Sequence, residues 1–340
     1  MAPTGVIIAT LFASLDIGAL ASTVRHQHRH HDKRSGYPFN ELVAFGDELS
    51  DNGNGSYAHN ITDGGANIYG FGTWTDGPVA VSYLADLLGV PLNDYAFGSS
   101  NGGSTIGATI NNAYTLSGSK LLSGEAIPSV HDQIHNNYTL NGSPQNIANA
   151  LQFMWVGQAD LLEQVDWFFD WDPKNTWFAN NISERITSDA EFLIESGAPY
   201  VFVANIYPKH RAPVAWTYLC GDSDCTSVLD TLGKIIVQAN TAIESALKSS
   251  KHADKLIHYD VFAFMNNLMD NKDSYGLTAA LTDYCDGEPA KASWDTCTAG
   301  SYYWEGATKF VWMTFVEPTT TVHKFIAQDM KKTIDAFFGA

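Results

Sequence analysis

Short apolar runs alternate with amphipathic segments along most of the chain. Each run is continuously apolar, which is typical of a strand buried on both faces of a parallel sheet. The predicted strands cover residues 42–45, 92–97, 151–156, 200–206 and 256–261. Strands that alternate with helices predict a three-layer α/β/α fold built on a five-stranded parallel sheet.

The segments between these runs carry apolar residues at helical spacing. In the first of them, Pro78 is expected at the first helical position and Gly89 is expected to end the helix. Further helices are predicted over residues 127–138, 183–196, 226–247 and 322–338. No internal repeat and no linker follows residue 40, so residues 35–340 are predicted to form a single domain.

The N-terminal segment has the features of an export signal. Val6–Leu20 is mostly apolar and Ala19-Leu20-Ala21 fits a cleavage site, which predicts a signal peptide over residues 1–21. Residues 22–34 hold four histidines and end in a dibasic pair. They are predicted to be a pro-segment, with metal binding by the histidines as the alternative. No later stretch is long and apolar enough to cross a membrane, and we expect a secreted protein.

The cysteine and asparagine positions agree with export. An even number of cysteines in an exported chain predicts two disulfides, and nearest-neighbour pairing is favoured among the three pairings that are open. The cysteines are Cys220, Cys225, Cys285 and Cys297. Sequons for N-glycosylation, expected on surface loops, lie at Asn54, Asn60, Asn137 and Asn181.

The chain is strongly acidic, with 19 basic and 37 acidic residues and a net charge of −18. Such a charge repels nucleic acid and anionic membranes, so neither is expected as a partner. A small-molecule or carbohydrate ligand is expected instead. The glycine-rich turn at residues 98–103 is not followed by the Lys-Ser/Thr pair of a phosphate-binding loop, and no cofactor is expected. The sequence does not indicate an oligomeric state.

Three positions of chemical interest follow the ends of predicted strands. Glu48 lies in FGDELSDNG (45–53) just after the first strand, Gly98 follows the second strand and Asp160 follows the third. In open parallel sheets, ligands bind at the carboxyl ends of the strands. We therefore expect Glu48, Gly98 and Asp160 to meet at one edge of the sheet.

Several blocks resemble, in order, those of one enzyme family. They are FGDELSDNG (45–53), TDGPVAVSYLADLLGV (75–90), YAFGSSNGG (95–103), WVGQAD (155–160), VANIYPKHRAPVAW (203–216) and VEPTTTVH (316–323). The chain resembles the GDSL, or SGNH, hydrolase superfamily. It is similar to the secreted fungal esterases of that superfamily, the acetyl esterases of carbohydrate esterase family sixteen. The resemblance implies a flavodoxin-like α/β/α fold.

The resemblance also implies where a serine esterase would hold its catalytic groups. Glu48 stands at the position of the serine nucleophile, Glu317 at that of the histidine and Thr314 at that of the aspartate. Ala159 stands at the position of the oxyanion-hole asparagine. Loss of a nucleophile or base costs on the order of 10⁶ in turnover, so hydrolysis by a serine triad is not expected.

Other positions of the family's site are kept. Gly98, whose N–H belongs to the oxyanion hole in the family, and Asp160 of the third block are both present. Asn101 and Trp74 are further candidates for oxyanion or ligand binding. His323 matches a histidine of the family, and we expect it to point away from the site and to have a structural role.

Four functions are open for such a site. The favoured interpretation is a non-hydrolytic binding protein. In the second, Glu48 and Glu317 lie within a few ångströms of each other, share a proton and catalyse cyclisation, elimination, isomerisation or glycoside cleavage. In the third, the two carboxylates and Asp160 bind a hard cation such as Ca²⁺. The fourth is residual hydrolysis of acyl esters.

Overall fold

A five-stranded, all-parallel sheet lies at the centre of the computed structural model. Its strands are β1 (Glu41–Gly46), β2 (Leu92–Asp94), β3 (Ala150–Trp155), β4 (Tyr200–Ala204) and β5 (Leu256–Tyr259). Their order is β2-β1-β3-β4-β5, and every neighbouring pair is parallel. The order reverses between β1 and β3, where open sheets of this kind bind ligands. The predicted three-layer α/β/α architecture is confirmed.

Helices cover both faces of this sheet. The α-helices are α1 (Ala80–Leu88), α2 (Val130–Asp132), α3 (Thr139–Asn141), α4 (Pro144–Ala148), α5 (Gln158–Glu163), α6 (Trp177–Glu195), α7 (Pro213–Ala215), α8 (Thr226–Ser249), α9 (Val261–Asp270) and α10 (Thr320–Phe338). π-Helical turns cover Gln133–Tyr138 and Trp216–Cys220, and 3₁₀ turns cover Lys209–Arg211, Ala253–Lys255, Lys272–Tyr275 and Glu305–Lys309. Helices α1, α9 and α10 pack on one face of the sheet, and α6 and α8 pack on the other.

Each strand divides its side chains between two apolar cores. In β1, Leu42 and Ala44 face the core under α1 and α10, whereas Val43 and Phe45 face the core under α6 and α8. This alternation buries both faces of the strand, which is why its sequence is apolar at every position.

The structure describes residues 36–55, 72–98, 107–118, 120–121, 124–141, 144–163, 172–220, 225–285 and 305–340. Residues Arg34–Ala340 form one compact unit. The candidate residue Asn101, the sequon at Asn60, Cys297, the predicted signal peptide and the predicted pro-segment lie outside the described residues. In the described part of the chain, no helix has the length and apolarity of a membrane span.

Helix α1 begins later than predicted. Pro78 lies before the N-cap residue Val79 rather than inside the helix, and its carbonyl accepts a hydrogen bond from Thr320 Oγ1 at 2.8 Å. The predicted stop is confirmed, because Gly89 has φ 69° at the C-cap. The start of α1 is therefore tied to the start of α10.

Strands β4 and β5 end two residues earlier than predicted, and the helix predicted from residue 127 begins at Val130. Two further differences have local reasons. Strand β2 ends at Asp94 rather than at residue 97, because Asp94 Oδ1 accepts a hydrogen bond from Ala96 N at 2.9 Å and turns the chain. Helix α6 begins at Trp177 rather than at residue 183, because Asn175 Oδ1 accepts the N–H of Trp177 at 3.1 Å.

One of the two predicted disulfides is confirmed between described residues. Cys220 and Cys225 are bonded to each other. Cys285 is buried and also disulfide-bonded. The pairing of Cys285 with Cys297 stays a prediction, since residue 297 is not among the described residues.

The described sequons do not lie on free surface loops as predicted. Asn54 Nδ2, the atom to which a glycan would be attached, donates to Asp94 O at 2.9 Å and to Ala96 O at 3.1 Å. Asn137 lies in the π-helical turn 133–138 and Asn181 lies in α6. Glycosylation at Asn54 would have to displace two hydrogen bonds that hold the chain beside β2.

Candidate functional site

Glu48 lies in a tight turn just beyond the carboxyl end of β1. The turn is closed by the N–H groups of Ser50 and Asp51, which donate to Asp47 O at 3.1 and 3.0 Å. The Glu48 side chain is 0% exposed, and neither of its carboxyl oxygens has a hydrogen-bond partner in the described part of the chain. Gly107 is pressed against it: a Cβ at residue 107 would lie 2.0 Å from Glu48 Oε2.

Lys209 is a buried cation beside Glu48 that the sequence analysis did not single out. It lies in the 3₁₀ turn after β4 and is 1% exposed. Its Nζ donates to Gln158 O at 3.4 Å. Burial lowers the pKa of Lys209, and the nearby charges of Glu48, Asp47 and Glu317 oppose that shift. The site therefore places one ammonium group among three carboxyl groups.

Glu317 is held by His323, which corrects the expectation that His323 points away. Glu317 Oε1 lies 3.1 Å from His323 Nε2. The other ring nitrogen, Nδ1, accepts the N–H of Ala80 at 3.2 Å, so Nε2 carries the proton and donates to Glu317. Burial lowers the pKa of His323 to about 3, and the ring is neutral. A neutral histidine thus fixes Glu317 to the first turn of α1.

Burial favours the protonated form of the carboxyl groups in this cluster. Burial raises the pKa of Glu48 to about 8; the charge of Lys209 lowers it and that of Glu317 raises it. Burial also raises the pKa of Glu317 well above its ordinary value, and the charge of Lys209 opposes that shift. The hydrogen bond from His323 favours the charged form of Glu317, whereas Glu48 has no such donor among the described residues. The two carboxyl groups titrate as a pair, and the bond from His323 favours Glu317 over Glu48 as the member that loses its proton and faces Lys209 as a carboxylate.

A family comparison agrees with this fold. A model of the GDSL-like lipase/acylhydrolase family matches residues 42–307. The chain belongs to this family. A search of curated proteins gives no match. The family match ends before Thr314 and Glu317, so it does not extend to the last block of the sequence resemblance.

The N–H of Gly98, expected from the resemblance to belong to an oxyanion hole, is occupied by a carboxylate. Gly98 N donates to Asp51 Oδ2 at 2.7 Å, and Trp74 Nε1 donates to the same oxygen at 3.0 Å. The indole lies directly over Gly98, since a Cβ at residue 98 would be 1.9 Å from Trp74 Nε1. Gly98 and Trp74, predicted to bind an oxyanion or ligand, therefore both hold the buried Asp51 carboxylate.

Asp160 and Ala159 are buried at the start of α5, but Asp160 faces a different neighbour from the one expected. Asp160 Oδ2 accepts a hydrogen bond from Ile110 N at 2.9 Å, and burial raises its pKa to about 7. Ala159 is 1% exposed and offers no polar side-chain atom. A Ca²⁺ site shared by Asp160, Glu48 and Glu317 is not formed: among the described residues, the ligand atoms that lie close enough together for a metal belong to a different group.

Thr314 positions Glu317 rather than replacing an acid. Its Oγ1 accepts the N–H of Glu317 at 3.0 Å and that of Val316 at 3.2 Å. These bonds close the turn that carries Glu317 ahead of α10. Tyr207 OH donates to Val316 O at 3.1 Å and supports the same turn.

Sequence reasoning missed Tyr207 and Lys209, although one signal for them was present. Both follow the carboxyl end of β4, on the sheet edge where Glu48 was expected. They belong to VANIYPKHRAPVAW (203–216), a block that the family resemblance had already marked.

Proposed function

We propose that this chain is a secreted member of the GDSL-like family that works without a serine nucleophile, as an acid–base catalyst on a carbohydrate or other small ligand. The proposal rests on Glu48, whose buried carboxyl group has no hydrogen-bond partner among the described residues. A buried polar group without a partner costs about 1–3 kcal/mol. Such groups are retained where they serve a ligand or a reaction.

The charges on the cluster suggest the role of each residue. Protonated Glu48 donates its proton to an oxygen of the substrate, and charged Glu317 accepts a proton from the substrate or from water. The ammonium group of Lys209 stabilises negative charge that develops on the substrate oxygen. Return of the proton from Glu317 to Glu48 restores the starting state, so the reaction consumes no net proton.

The location and the ligand class rest on the sequence. The export signal supports secretion. The similarity to acetyl esterases of carbohydrate esterase family sixteen supports a carbohydrate ligand. The net charge of −18 supports a ligand that is not an anion.

A non-hydrolytic binding protein is the second candidate. It is favoured by burial, because Glu48 and Glu317 are 0% and 1% exposed and neither carboxyl group faces solvent. In this alternative the cluster shapes and charges a binding pocket, and no bond of the ligand is broken.

Kinetics of matched variants separate these candidates. Wild-type protein, Glu48→Gln, Glu317→Gln and a surface control, Glu184→Gln, are assayed on an aryl acetate, an acetylated xylo-oligosaccharide and aryl glycosides. For a catalyst, Glu48→Gln lowers turnover by about 10²–10⁴-fold with little change in KM. Activity of the wild type falls as pH rises through about 8, because Glu48 must be protonated to donate. The control is expected to match the wild type.

Two other outcomes of this assay would argue against a catalyst that uses Glu48. Binding of the oligosaccharide without turnover, weakened in Glu48→Gln, would favour the binding protein. Equal turnover in the wild type and Glu48→Gln would contradict both candidates and restore an esterase that does not use residue 48.

A variant with the serine triad that the resemblance implies tests whether this scaffold can still hydrolyse esters. The fourfold variant Glu48→Ser, Thr314→Asp, Glu317→His and Ala159→Asn returns every replaced position to the residue implied by the resemblance. Gain of aryl acetate hydrolysis would show that the scaffold still accepts acyl esters and that the replaced side chains removed this activity.

A further inference from the structure

Two histidines are aligned by an uncommon piece of backbone on the α6 side of the sheet. His131 lies in α2, and His135 lies in the π-helical turn Gln133–Tyr138 that follows without a break. π-Helical turns are rare and are frequent at functional sites. His131 and His135 are four residues apart, so their side chains lie on the same face of this helical segment. The two imidazole rings accordingly stack with centroids 4.0 Å apart.

Both rings point one nitrogen at the same carboxylate oxygen. His131 Nδ1 and His135 Nε2 each lie 3.0 Å from Oδ1 of Asp189, which comes from the middle of α6. The three ligand atoms lie within 4.8 Å of one another. Ligand atoms around a tetrahedral metal with bonds of 2.0–2.1 Å are separated by about 3.3 Å. These three side chains could therefore coordinate an ion after only a small adjustment of their positions.

The surroundings favour a cation with an open coordination position. The trio lines a cavity of about 280 Å³, so water or a ligand can reach the side opposite the protein atoms. Glu191 and Glu195 also line this cavity; Glu195 is paired with Lys251 at 2.6 Å, and Glu191 accepts a hydrogen bond from Ser250 Oγ at 2.5 Å. Arg185 is the positive group there, and it is held by Asn181 at 3.0 Å and by the ring of Tyr114.

We propose that His131, His135 and Asp189 bind a zinc ion. Two imidazoles and one carboxylate are a donor set that suits Zn²⁺ and related transition metals, and they disfavour Ca²⁺ and Mg²⁺, which take oxygen ligands. The site shares no residue with the Glu48 cluster and stands whether or not the protein is a catalyst.

Hydrogen bonding alone is the competing explanation for the same contacts. Two neutral histidines can each donate one N–H to Asp189 Oδ1 and satisfy it without a metal. Substitutions that keep these donors but remove the imidazoles distinguish the two explanations. In His131→Asn the amide nitrogen takes the place of Nδ1, and in His135→Gln it takes the place of Nε2.

The test measures zinc binding by the full chain in a background with fewer competing ligands. In this background His26, His28, His30 and His31 of the N-terminal run are replaced by serine. Zn²⁺ is titrated against a chromophoric chelator, and the melting temperature is recorded with Zn²⁺, Ca²⁺ or Mg²⁺. We expect one Zn²⁺ per chain and a rise in melting temperature with Zn²⁺ alone.

The variants decide between the explanations. The double variant His131→Asn with His135→Gln should bind Zn²⁺ at least about 100-fold more weakly and keep the metal-free melting temperature of the background. The control His252→Gln, next to Glu195 but outside the trio, should bind as the background does. Equal zinc affinity in the double variant and the background, or no saturable binding by the background, would overturn the proposal.

Discussion

Replacing Glu48 by glutamine should change how stability depends on pH. Burial raises the pKa of Glu48 from its ordinary value of 4.5 to about 8, so the folded protein keeps a proton that the unfolded chain releases. Below pH 4.5 both states hold the proton and the shift has no effect. As pH rises from 4.5 to 8, the folded state loses stability relative to the unfolded state. Above pH 8 the loss is constant.

The size of the effect follows from the shift. One retained proton gives a slope of about 1.4 kcal/mol per pH unit between these limits, and the whole shift corresponds to about 5 kcal/mol. Glu48→Gln is neutral at every pH and similar in shape, so it removes this slope. Its free energy of unfolding should equal that of the wild type near pH 4.5 and exceed it increasingly toward pH 7.5.

Urea unfolding of both proteins at pH 5.5, 6.5 and 7.5 measures this slope. Other buried acids add to the pH dependence of both proteins, and the difference between the two slopes reports the proton of Glu48 together with its coupling to Asp47 and Lys209. The exposed control Glu184→Gln should keep the wild-type slope. Identical slopes for the wild type and Glu48→Gln would refute the assignment of the proton to Glu48.

Three further changes test contacts around the site. Gly107→Ala should lower the free energy of unfolding by more than about 2 kcal/mol in thermal unfolding, because residue 107 has φ 118° and the new Cβ meets Glu48. The control Gly89→Ala, where φ is 69° and the space is open, should lower the free energy of unfolding by only about 1–2 kcal/mol. His323→Phe should cost about 1–3 kcal/mol in urea unfolding, because Glu317 and the Ala80 N–H both lose a partner. The double variant Cys220→Ser with Cys225→Ser, which removes this disulfide, should lower the free energy of unfolding by about 2 kcal/mol, since the loop that the disulfide closes is short.

The fold was predictable because its signals are local. Each strand is buried on both faces and therefore continuously apolar, and the order of the blocks placed Glu48 at a strand end. The sequence also paired the Glu48 and Glu317 positions, and the structure brings them close enough for the charge of Glu317 to raise the pKa of Glu48.

The direction of His323 could not be read from helical spacing. The prediction assumed that the helix had already begun at Glu317. In the structure Thr319 is the N-cap of α10, and Met313 N donates to Glu317 O at 2.7 Å in a turn before the helix. Because the chain turns back at that point, His323 in the first turns of α10 reaches Glu317.

The burial of Lys209 could not be predicted from the sequence for a different reason. A single lysine after a strand is most often solvent-exposed, and no local pattern distinguishes the rare buried one. Its burial depends on Glu48, Asp47 and Glu317, which come from two distant parts of the chain. The burial of the lysine is understandable only when the folded sheet has brought its loop next to the loops that carry the carboxyl groups.

The contacts around Glu48 argue against simple decay of an esterase site. An esterase site of the kind that the resemblance implies would keep the Gly98 N–H open, yet this N–H is bonded to Asp51. It would also not gain from a buried lysine, whose charge is costly without acids beside it. The charge of Lys209 lowers the pKa of a carboxyl group at residue 48, and a serine there would leave the lysine with one titratable acid fewer beside it. The surrounding residues are thus matched to the glutamate, which is the arrangement expected of a site that uses it.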